Sequence, residues 1–119
     1  MKLENQVVSL DLAKRLKELG VKQESLFAWV KLPPSEKEGY EGEEYGLVYE
    51  WTMAHNAGKE CISAFTVAEL GEMLPKRTRS IKTHEYEFYC NSQVHEWPGQ
   101  YGDTEADARA KMLIYLRSP

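Results

Sequence analysis

Cysteine is scarce in this chain. Cys61 and Cys90 are the only two, too few for a disulfide framework, so both thiols are expected free in a reducing compartment. Long apolar runs are also missing. No stretch approaches the roughly 20 residues of a membrane span. The opening MKLENQVVSL lacks an apolar core of signal-peptide length. The expectation is a cytoplasmic protein with no membrane partner. A basic excess is lacking too. The formal net charge is −4, which argues against a general nucleic-acid coat. Catalytic signatures are absent: there is no Walker loop, no G-x-S-x-G, no H-E-x-x-H and no paired C-x-x-C. The reading therefore leans away from an enzyme and requires no cofactor and no metal.

What is present suits one domain spanning residues 1–119. A chain of this size buries roughly 65% of the surface its unfolded form exposes, enough for one core without staples. Three Trp, seven Tyr and three Phe supply that core or a binding surface.

The strongest local signal is a helix over 103–117, DTEADARAKMLIYLR. Asp103 or Thr104 can cap it, and Thr104-x-x-Asp107 resembles a capping box with a short acid. Ala106, Ala110, Leu113 and Ile114 share one face, widened by Met112 and Leu116. Arg109 and Lys111 are expected to point outward or to snorkel, and the early alanines to let the helix approach a sheet closely. Ser9 opens an earlier helix with Leu12, Leu16 and Leu19 as its buried stripe, and Gly20-Val21 stops it. Thr66-x-x-Glu69 is a full capping box for a third helix, with Val67, Leu70 and Leu74 inward and Pro75 ending it. Gly71, within it, marks close packing against another element, with the terminal helix as the candidate.

Residues 26–30, LFAWV, have two readings. Aromatic and β-branched content favours a buried strand. GVKQESLFAWV also resembles the turn and second helix of a helix-turn-helix, but the would-be recognition helix exposes no Arg or Lys before Lys31 to read bases or phosphates. The strand is preferred. Residues 32–46 read as a solvated acidic loop carrying Glu36, Glu38, Glu41, Glu43 and Glu44. It lacks the D-x-D spacing of a calcium loop. Residues 47–53 alternate as a strand antiparallel to 26–30, with Leu47, Tyr49, Trp51 and Met53 on one face. A turn at 55–58 and a short third strand within 59–65 follow.

Lys76, Arg77, Arg79 and Lys82 form the one basic run, read as a solvated linker. A strand over 84–90 follows, then a turn at Asn91-Ser92 and a return strand over 93–97. The register of this hairpin stays open, because a two-residue turn would oppose Glu87 and Glu96. His84, His95 and Cys90 with nearby glutamates resemble a ligand or nucleophile set. However, His84 and Cys90 lie about 20 Å apart along a strand and cannot meet.

The segments SAFTVAELGEMLP (63–75) and TEADARAKMLIYL (104–116), with VSLDLAKRLKELGVKQESLF (8–27), resemble a family of small uncharacterised proteins of bacterial phages and prophages. The resemblance covers a little under half the chain. It implies a phage-associated cytoplasmic protein and carries no site residues over.

The expected architecture is α+β, in the order α-β-β-α-β-β-α: one antiparallel sheet of four to five strands covered by three helices. The leading functional expectation is a non-catalytic phage or prophage accessory protein acting through an unidentified protein partner, or as a homo-oligomer. A DNA-binding regulator using the helix-turn-helix-like segment or 76–82 is second. A small nucleotide-binding or anti-defence protein is third. Candidate partner or nucleic-acid contacts are Arg77, Arg79, Lys82, Tyr89 and Trp97, cations for phosphates and rings for stacking.

Overall fold

The computed structural model describes residues 2–31, 45–49, 60–85 and 87–119. Most of the acidic loop, Trp51 and Met53, the turn at 55–58, and Tyr86 lie outside the described residues.

The expected α+β class holds, but the single sheet does not. The described elements are α1 (Leu10–Glu18), β1 (Phe27–Lys31), β2 (Tyr45–Tyr49), β3 (Cys61–Ala64), α2 (Val67–Met73), β4 (Thr78–His84), β5 (Glu87–Ser92), β6 (Gln100–Gly102) and α3 (Glu105–Arg117). A short 3-10 turn, Leu3–Asn5, precedes them. The strands form two antiparallel sheets of three, ordered β2-β1-β3 and β4-β5-β6.

Residues 27–31 are a strand, so the second helix of a helix-turn-helix does not exist here. β1 exchanges bonds with strands on both sides, Trp29 lying between Leu47 and Ile62. Its alternating burial comes from a sheet packed on two faces. Trp29 joins the main core and donates its indole N–H to the Val8 carbonyl at 3.0 Å. On the opposite face Ala28, Val30 and Cys61 form a smaller buried cluster with Val48.

The helix signals were realised closely. Gly20 takes a left-handed φ of 83°, and Val21 N–H returns to the Leu16 carbonyl at 3.1 Å, closing α1. Thr66 and Glu69 make the reciprocal capping box of α2. At α3 the Thr104 hydroxyl accepts from Asp107 N–H at 3.1 Å. The Asp107 carboxylate does not close the box. It accepts the Ser9 N–H at 2.7 Å instead, tying the start of α3 to the start of α1.

α3 is more enclosed than one apolar stripe requires. Ala106, Ala108, Ala110, Met112 and Leu113 are all buried, because α3 contacts α1, α2 and all three strands of the second sheet. A helix covered on several sides needs small or apolar residues around most of its circumference. The close approach expected of its alanines is made at β6. A side chain added at Gly102 would run into the backbone amide of Ala108.

Two expectations fail here. Arg109 points inward, donating from Nε to Ser80 Oγ at 2.8 Å and from Nη1 to the Val67 carbonyl at 3.0 Å, with Glu105 at 3.6 Å. Three acceptors replace the water that would otherwise hold the guanidinium outside. Gly71 leaves room for that guanidinium, which a Cβ would overlap, so its proposed neighbour was the right one. The second failure is the hairpin. Residues 78–82 of the basic run are strand, the chain reverses after His84, and 93–97 is not a strand. Arg79 pairs with Asn91, Ile81 with Tyr89, and His84 with Glu87 beyond a bulge. His84 thereby replaces the Glu96 that would have repelled Glu87, and the return strand is β6.

Candidate functional site

Among the described residues lies an open groove of about 950 Å³. Five pieces of chain frame it. Leu3, Asn5 and Gln6 come from the N-terminal turn, and Phe27 from the start of β1. Thr66, Val67 and Ala68 open α2, while Asp103, Thr104 and Glu105 open α3. Lys82, Glu85 and Phe88 come from the β4–β5 hairpin.

The local fold explains this convergence. Val7 bridges to Thr66, and Val8 N–H donates to the Phe65 carbonyl at 2.9 Å. These bonds hold the N-terminal turn beside the start of α2. Arg109 clamps α2 to β4 and α3, bringing both helix starts to one side. Leu3, Phe27, Val67, Ala68 and Phe88 make the walls apolar. Lys82, Glu85 and Asp103 put charge on the rim, and Glu105 is bridged by Arg109. Apolar walls with a few polar groups are the usual make-up of a binding site.

The five residues chosen from sequence are not gathered in this groove. Lys82 is at its rim, on the sheet face that carries Phe88 and Gly102 and packs on α3. Arg79 and Tyr89 lie on the opposite face, since side chains alternate along a strand. Arg77 precedes β4 with a left-handed φ of 65°, held where its carbonyl accepts Gln93 N–H at 2.9 Å. Trp97 is half-buried against the main core and carries His95 stacked on it at 4.1 Å. Phe88, Val67, Ala68 and Leu3 were missed as site residues. Their spacing reads as core, and nothing in sequence marks which apolar positions face a groove.

Among the described residues, no group of three His, Cys, Asp or Glu converges as a ligand set. His84 ends β4, exposed, while Cys90 is fully buried beside Arg109 and Glu105. Burial pushes the Cys90 thiol up to about 11, against the pull of Arg109, and raises Cys61 as well despite Lys17. Both thiols are thus held in the protonated, unreactive form. No described helix is long and apolar enough to cross a membrane.

Compared with protein-family models, curated proteins and solved structures, the chain matches none. The functional reading rests on the geometry. Of the sequence segments singled out above, 63–75 contains α2 and 104–116 all of α3 but Arg117; the starts of these two helices frame the groove.

Proposed function

We propose that this is a non-catalytic accessory protein of phage or prophage type that acts by contact with another protein, and that the contact is made in the groove. One observation carries the reading: a wide, open cleft whose walls are apolar side chains left accessible to water. Leu3 is 39% exposed at its mouth. Accessible apolar surface of this kind gains free energy when a partner covers it, and rings such as Phe27 and Phe88 are suited to anchoring a contact.

The test is Ala68→Glu. Ala68 is exposed in the first turn of α2, where a carboxylate favours the helix while placing a charge among the groove walls. Light scattering on the purified protein distinguishes a second copy from a foreign partner, and affinity capture from host lysate identifies the latter. Self-association or a captured protein, lost in the variant with melting unchanged, supports the reading. A strict monomer that captures nothing, or a partner held equally by the variant, overturns it.

A further inference from the structure

The outward face of the second sheet carries a different chemistry. Ile81, Tyr89 and Tyr101 lie side by side across β4, β5 and β6, on the side of the sheet away from α3. The two tyrosine rings sit 4.7 Å apart, tilted by 37°. Tyr89 leans over Gly99, where any side chain would strike its ring. That support fixes Tyr89 and leaves its neighbours outside: Tyr101 is 54% and Ile81 44% exposed. Arg79, two residues before Ile81, lies on the same face.

The charge around this face is unbalanced. Lys76, Arg77 and Arg79 are all exposed, no acid interrupts them, and none has an ion pair among the described residues; Lys82, exposed as well, is on the other face. Four cations elsewhere are paired: Arg15 with Glu18, Lys22 with Glu24, Lys31 with Glu60 and Arg109 with Glu105. Of the neighbouring acids, Glu85 and Glu87 lie at the hairpin end, away from Arg77 and Arg79, and Glu87 is engaged by the Thr83 hydroxyl at 2.7 Å. Glu96 lies in the connection between β5 and β6. The overall acidity does not describe this surface. Five glutamates against Lys37 in 32–44 amount to −4, the whole net charge, so the remainder of the chain is neutral.

We propose that this face binds single-stranded nucleic acid, with Tyr101 and Ile81 as the platform for unpaired bases and Arg79, with Arg77 and Lys76, on the phosphates. Exposed rings beside unpaired cations suit strands whose bases are free to stack, and a duplex hides those base faces. The site is separate from the groove and does not depend on it.

Anisotropy titrations with fluorescent oligo-dT and oligo-rU, beside a duplex of equal length, test this at low and moderate salt. Single strands should bind more tightly than the duplex, with affinity falling as salt rises. The salt slope should drop by about 0.7 in Arg79→Gln, the loss of one phosphate contact. Tyr101→Leu, which keeps an apolar side chain and removes the ring, should weaken binding at least about fivefold. Lys82→Gln, on the other face, should change little. No binding at low salt, equal affinity for duplex, or equal losses in Lys82→Gln and Arg79→Gln would overturn the proposal. In that event the basic residues only protect an edge strand from pairing with other chains. Melting curves of both face variants confirm that their fold is intact.

Discussion

The two sheets have three antiparallel strands each, yet they are held in place differently. In the first, β3 is buried at all four positions and β1 at alternate ones, so side chains fix the strands. In the second, β4 is exposed at five of its seven positions. It persists through its ladder with β5 and through α3, which supports the sheet from one side. A strand can be specified by its partner as well as by its own apolar pattern.

The largest expected break in this contrast is Phe65→Ala. Phe65 is almost fully buried just beyond β3. Its truncation should cost about 3–5 kcal/mol in urea unfolding. Gly102→Ala attacks the second sheet where β6 meets α3. The added methyl meets backbone that cannot rotate aside, and the expected loss is about 1–3 kcal/mol by the same measurement.

Asp107 joins α3 to α1 and sharpens the comparison through pH. Burial raises its carboxyl above the ordinary range, outweighing the Ser9 N–H that lowers it. The folded state therefore holds this proton more tightly than the unfolded chain. The resulting stability is fully present below the ordinary aspartate value, about 3.9, and is lost as pH rises through the raised folded value. Asp107→Asn keeps an acceptor for Ser9 and should flatten that part of the decline, read from urea midpoints across the acidic range. The smallest effect is expected at β4. Ile81→Thr should change stability by no more than about 0.5 kcal/mol, and a larger loss would mean that the outward face is packed after all.

Sequence legibility follows the same division. Both Thr caps and the Gly20 stop were readable, because local hydrogen bonding decides them. Residues 27–31 were preferred as strand because aromatic and β-branched residues dominate there. β4 was not readable: Thr78–His84 holds one large apolar residue, Ile81, and two cations. The hairpin was then placed one strand too late. Arg109 was assigned to solvent because charge alone does not reveal three waiting acceptors. Of the candidate contacts, Arg79 and Tyr89 share a face, while Lys82 was assigned without its strand parity. The groove was invisible because five separate stretches build it.

α3 also sets a schedule. Every element packed against it is synthesised earlier, so a chain still on the ribosome presents those apolar surfaces without their cover. Its final compaction must wait until Arg117 has cleared the exit tunnel. Until then those uncovered surfaces are open to non-native association.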